Sequence, residues 1–160
     1  MDLIRLQPNA FTSITTDIPV PRLWELASDP RLLADFSTEL QAVRPLFDGP
    51  IALGHQFEGD QLRGDRRWTT ISTVTGLEPE ALFEWTVGDL DLPVSKWSFL
   101  LDATAGRSTW THKVTLLGGP SPLSDFITSH PDEAEEVVQE RLTALRARMA
   151  LTLSGLIALA

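Results

Sequence analysis

Between Leu40 and Leu117 the chain alternates stretches of strand-forming residues with short turns, and this limits its fold more than any other feature. The stretches fall near 40–47, 54–63, 66–76, 81–88, 95–103 and 108–117. Asp48-Gly49-Pro50, Arg63-Gly64-Asp65, Glu78-Pro79-Glu80, Gly88-Asp89 and Ala105-Gly106 supply turn chemistry at the junctions. Connections this short cannot carry a crossover, so consecutive strands must run antiparallel as a meander.

Different periods flank this run. Residues 10–18, rich in Thr and Ile, predict a first strand, which Pro19 and Pro21 end because proline cannot donate to a sheet ladder. Proline suits a first helical turn, so a short helix is expected from about Pro21, with Leu23, Trp24, Leu26 and Ala27 as its apolar stripe. Ser28-Asp29-Pro30 breaks it, and Pro30 can start a second short helix carrying Leu32, Leu33 and Phe36. After Gly118-Gly119-Pro120 a connection of about a dozen residues has room for a helical turn.

From around Ser129–Asp132 to about Leu159, Val138, Leu142, Leu145, Met149, Leu153 and Leu156 recur at helical spacing. Asp132, Glu133, Glu135 and Glu136 sit at the start, where the helix dipole favours negative charge, and Arg141, Arg146 and Arg148 lie further on. A dipole-matched, solvated helix start explains the acidic cluster better than a metal site, since His130 lies before it, next to a proline. No residue is assigned to a metal.

The last three strands alternate clearly enough to separate their faces. Phe83, Trp85 and Val87 oppose Glu84 and Thr86; Trp97, Phe99 and Leu101 oppose Lys96 and Ser98; Trp110, His112, Val114 and Leu116 oppose Thr111, Lys113 and Thr115. An antiparallel sheet must bury such an aromatic face, and the long C-terminal helix is the available cover. Singly, each aromatic reads first as core. As a set they share their side with small and polar residues: Phe57, Gly59 and Gln61 form one row, Trp68, Thr70, Ser72 and Val74 another, although Leu62 and Ile71 leave the facing of these two strands open. Buried hydroxyls without partners cost about 1–3 kcal/mol each, so a cavity that takes water or a polar ligand group is the alternative to a solid core.

These rows define the candidate site. Ligand contacts are expected from Trp24, Phe36, Phe57, Trp68, Trp85, Trp97, Phe99, Trp110, Leu142, Leu145 and Met149. His112 is the ionisable residue on the aromatic face, and so the catalytic candidate: it can orient a hydroxyl or carbonyl, or move a proton near neutral pH. A neutral histidine hydrogen-bonded inside the wall is the plainer reading. His55, after Gly54, is expected at the sheet edge.

A net charge of −9 without a basic cluster argues against nucleic acid. With no cysteine there is no disulfide, thiolate nucleophile or Cys-ligated zinc, which fits a cytoplasmic location. The N-terminus lacks the basic start and apolar core of a signal peptide, and apolar Met149–Ala160 is shorter than the roughly twenty residues of a membrane span. That segment reads as a buried helix end or, less simply, an oligomer contact. No phosphate-loop or paired-histidine motif is present, so no cofactor is expected. The 160 residues suit a single domain, 1–160, as monomer or homodimer.

Ile18-Pro19-Val20-Pro21-Arg22-Leu23-Trp24, closed by Asp29, resembles the start of the START-related and polyketide cyclase/dehydrase superfamily known as SRPBCC. Phe57-Glu58-Gly59, Trp68, Glu78-Pro79, Phe83-Glu84-Trp85 and Trp97-Ser98-Phe99 resemble its strand landmarks. The resemblance spans about residues 10–158 and implies an α+β helix-grip fold: a curved seven-stranded antiparallel sheet around the C-terminal helix, with two small helices plugging one end. Members bind lipids, sterols, polyketides or plant hormones, and some catalyse cyclisation or dehydration. The leading expectation is therefore binding of a small hydrophobic molecule in an aromatic-lined cavity. A cyclase/dehydratase-type enzyme using the same cavity is the alternative, and a non-catalytic interaction or stress-response module is the third. The Tyr, Arg or His residues that cyclising members use have no secure counterpart beyond His112, since the chain has no Tyr.

Overall fold

The computed structural model describes residues 6–160, so the expectation that no leader peptide begins at Met1 lies partly outside the described residues. Strand β1 (Asn9–Thr16) leads into helix α1 (Val20–Ala27) and a 3-10 turn (Pro30–Ala34). The meander follows as β2 (Leu40–Pro45), β3 (Gln56–Arg63), β4 (Arg66–Glu78), β5 (Leu82–Asp89), β6 (Leu92–Thr104) and β7 (Arg107–Leu116). Helix α2 (Pro122–Ser129), a 3-10 turn at Pro131–Glu133 and helix α3 (Ala134–Ala158) complete the chain. All pairings are antiparallel, in the order β1-β7-β6-β5-β4-β3-β2. This is the helix-grip fold.

Pro21 occupies the first turn of α1, and Ser28 closes it by donating its hydroxyl to the Trp24 carbonyl at 2.7 Å. Asp29 then accepts from the Arg31 amide at 3.1 Å, capping the turn that Pro30 begins. The connection after Pro120 holds a full eight-residue helix rather than one turn. Ser121 and Ser124 form its reciprocal capping box, and Pro131 separates it from α3, which therefore starts later than the spacing predicts.

Two strands outrun their expected limits. Strand β4 continues past Gly76 because the register slips between Val74 and Gly76, and β6 begins at Leu92 because the pairing slips again beside Gly88. Each irregularity adds bend and twist, which curls the sheet toward α3.

The burial pattern resolves the open strand faces. Phe57, Gly59, Ser72 and Val74 are buried toward α3, while Glu58, Asp60, Thr69 and Thr75 lie on the outer side. Outside, Arg44 bridges Glu58 and Asp60, with Nη1 donating to Asp60 at 2.6 Å. One apolar cluster joins α1 and the end of α3 to Phe57, Phe83, Trp85, Phe99 and Trp110. A second sets Val138, Leu142 and Met149 of α3 against Val114 and Leu116. The space between sheet and helix is incompletely filled, and the candidate site lies there.

Candidate functional site

An inner chamber of about 130 Å³ lies between the concave sheet and α3. The sheet contributes Phe57, Trp85, Trp97 and His112, and α3 contributes Leu145 and Met149. Gly59 forms part of the wall: a Cβ there would sit 2.9 Å from the Leu40 side chain and 3.1 Å from the Thr70 hydroxyl. Only glycine leaves this floor open without displacing neighbours.

An outer chamber of about 120 Å³ adjoins the first, sharing Gln61, Thr70, Trp97, Arg141 and Leu145 with it. Trp68 lines this second space, which Ser121, Pro122 and Leu123 at the start of α2 border. Trp68, Thr70 and Pro122 also line a wider surface groove of about 590 Å³. The chambers thus stand behind a groove between β4, β5 and the start of α2.

The rings of Trp85 and Trp97 lie nearly parallel, 6° apart with centroids 6.3 Å apart. Trp97 is held by donating Nε1 to Ser95 Oγ at 3.0 Å. His112 lies against both rings and against Phe99, whose centroid is 4.3 Å away. Its Nδ1 stands 3.1 Å from the Ser98 carbonyl. A carbonyl can only accept, so Nδ1 carries the proton and Nε2 keeps its lone pair as an acceptor.

Burial among these rings pushes the imidazole down to about 4, against a smaller upward pull from the Ser98 carbonyl. At neutral pH His112 is therefore an uncharged acceptor and not a ready proton donor. The shift also predicts a pH limb. The unfolded histidine titrates near 6.5, so stability is full above that value and falls with pH until the folded group protonates at about 4, a loss of about 3 kcal/mol. Urea titrations of wild type and His112→Gln between pH 7 and 4 would show this limb in the first protein alone.

The expected residues divide between site and core. Phe57, Trp85, Trp97, Leu145, Met149 and His112 meet in the inner chamber, and Trp68 in the outer one. Trp110 and Phe99 are fully buried and pack edge to face behind the chamber, with centroids 5.2 Å apart. Leu142 turns into the second apolar cluster. Trp24 packs on the first cluster, and Phe36 lies against Gly155 of α3, where a Cβ would collide with its ring. The turn after α1 reaches the chamber through Leu33 and Ser37 instead. His55 stacks on Phe47 just before β3, and His130 on Phe126 at the end of α2.

A buried ionic group was not expected. Glu39, 8% exposed, accepts from Arg141 Nη2 at 2.7 Å and Nη1 at 3.1 Å, and also pairs with Arg148. Burial opposes its charge, but the two guanidinium groups prevail and hold the carboxyl below the usual glutamate range. All three side chains line the inner chamber. The sequence carried one signal for this. Arg141, Leu145, Arg148 and Thr152 follow at i, i+4, i+7 and i+11, which puts both arginines on the stripe facing the sheet and not among the solvated charges. Nothing in the sequence marks Glu39.

The family model described as polyketide cyclase / dehydrase and lipid transport matches residues 8–150. The chain belongs to that family. Solved structures share the fold of this polyketide cyclase / dehydrase and lipid transport domain. The polyketide cyclase-like protein Cgl2372 of Corynebacterium glutamicum is 21% identical, with a TM-score of 0.64 over 92% of this chain and 88% of its own. The Zhui aromatase/cyclase of Streptomyces sp. R1128 is 16% identical, with a TM-score of 0.61 over 93% of each chain. The di-domain aromatase/cyclase StfQ of the steffimycin biosynthetic pathway is 12% identical, with a TM-score of 0.71 over 94% of this chain and 49% of its own. No curated protein matches the sequence. Among the described residues no helix of this family member is long and apolar enough to cross a membrane.

Proposed function

We propose that this polyketide cyclase / dehydrase and lipid transport family member binds a small, flat, largely apolar molecule between its sheet and α3. The observation that carries this reading is the pairing of the parallel Trp85 and Trp97 rings with the acceptor Nε2 of His112 in one chamber. The rings supply stacking area, and the imidazole orients a hydroxyl. Size narrows the class. Drug-sized pockets begin at roughly 300 Å³ and an apolar cavity of about 150 Å³ takes benzene, so each chamber suits about one ring. A compact polyketide-like aromatic fits this space better than a sterol or a long lipid chain.

Intrinsic tryptophan fluorescence with 2-naphthol, a long-chain alcohol and a sterol tests the reading. Saturable quenching by 2-naphthol, weakened in Trp97→Leu, is the expected result. No saturable response to any of the three would overturn it.

A cyclase or dehydratase activity is the second reading, favoured by the free Nε2 lone pair beside the aromatic rings. There His112 takes a proton from the bound molecule, and the enclosed walls supply orientation. With its basicity lowered to about 4, the imidazole is a weak base at pH 7, which makes binding the stronger reading. An interaction module has less support: Phe126 is exposed, but Ile127 and Leu156 are buried, so they add nothing to an apolar patch. The net charge of −9 favours small-molecule over nucleic-acid partners, and the lack of cysteine accords with the cytoplasm.

A further inference from the structure

We propose that the bound molecule carries a carboxylate, received in the outer chamber by Arg63 with Arg141 beside it. This deepens the cavity reading above and rests on it. Arg63, Arg141 and Arg148 converge on the two chambers, and Glu39 is the carboxylate among them. Three positive groups against one negative leave a surplus of two at the cavity, inside a chain whose net charge is −9.

Glu39 is engaged by the other two arginines and makes no hydrogen bond to Arg63. Its Oε1 accepts from Arg141, and its Oε2 from both Arg141 and Arg148. Arg63 makes no ion pair or hydrogen bond through its side chain among the described residues. Its guanidinium lies 5.8 Å from the Trp68 ring centroid, which supports a cation from one face and leaves its in-plane donors free. Burial and then the nearby Arg141 disfavour its charged form, and Glu39 offsets this only in part. Arginine does not give up its proton, so an incoming anion is what relieves the site.

Geometry favours a carboxylate over a bulkier anion. Arg141 already holds the Glu39 carboxylate through two donors, and the outer chamber measures only about 120 Å³ beside Trp68 and Trp97. A flat acid can stack its ring on the aromatic wall and turn its carboxylate toward the fork of Arg63. The apolar body then extends toward His112 and the inner chamber.

Calorimetric titration of the full chain with 2-naphthoate, 2-naphthamide and 2-naphthyl phosphate tests this. The acid is expected to bind about tenfold more tightly than its amide, the scale of one charge-assisted hydrogen bond. That preference should vanish in Arg63→Gln and persist in Arg107→Gln, whose guanidinium pairs with Asp17 at 3.0 Å away from the cavity. Circular dichroism would establish that both variants fold. Equal affinity for acid and amide, or a preference that survives Arg63→Gln, would overturn the carboxylate site and leave the cavity reading standing. Tighter binding of the phosphate than the acid would overturn the assignment to carboxylates. If no probe binds, the cavity reading fails and this proposal with it.

Discussion

Replacing Trp110 with alanine is expected to remove about 3–5 kcal/mol of stability, the usual cost of deleting a large aromatic from a packed interior. The side chain is 0% exposed and packs against Phe99 behind the chamber, so no solvent can fill the gap cheaply. Its Nε1 has no hydrogen-bond partner among the described residues. An unpaired buried donor costs about 1–3 kcal/mol, which the alanine variant regains in part. Trp110→Phe should accordingly be far milder, within about 1 kcal/mol of wild type, because losing the orphaned donor offsets the smaller ring. Urea unfolding of the two variants measures both numbers, and equal losses would contradict this account of the indole.

The second large effect is expected from Glu39→Gln, at about 3 kcal/mol. A neutral amide leaves Arg141 and Arg148 facing each other in a partly dry site, and breaking a buried ion pair costs about 3–5 kcal/mol. The lower end applies because the Arg148 side chain is 34% exposed. Replacing all three charges together by Leu, Met and Leu should recover most of the loss, since no uncompensated charge then remains. The wild-type carboxyl adds an acid limb of its own. Its folded-state affinity for protons is lowered, so its stabilisation is complete above the ordinary glutamate range and disappears as pH falls through the lower folded value. That limb lies below the His112 limb between 6.5 and 4, and chemical denaturation at closely spaced pH values separates the two.

Much of this architecture is legible in residue order. Turn chemistry at Asp48-Gly49, Arg63-Gly64 and Ala105-Gly106 compels antiparallel pairing, and strict alternation from Phe83 to Leu116 assigns the inner face. Local periodicity carries that information because a strand has two sides and one must be dry. Strand ends at Glu78 and Leu92 were less legible, since bulges let a ladder run past a glycine.

The site was legible only in part. Trp85, Trp97 and Trp110 alternate identically along their strands, yet the first two border a chamber and the third is solid core. Pattern gives the face of the sheet, but the depth of a residue depends on how far α3 stands from it. Phe36 illustrates the same limit: its place in the pattern predicts a ligand contact, yet it packs against Gly155, more than a hundred residues away, and does not line the chamber.

The sequence by itself determined the element order, the inner face and the net charge of −9, because each depends on neighbours in the chain or on composition. Only the tertiary structure decided where the interior stays open and that Glu39, Arg141 and Arg148 meet within it. Burial and pairing of charge depend on separation in space, and residues 102 and 109 apart in sequence carry no local mark of their meeting.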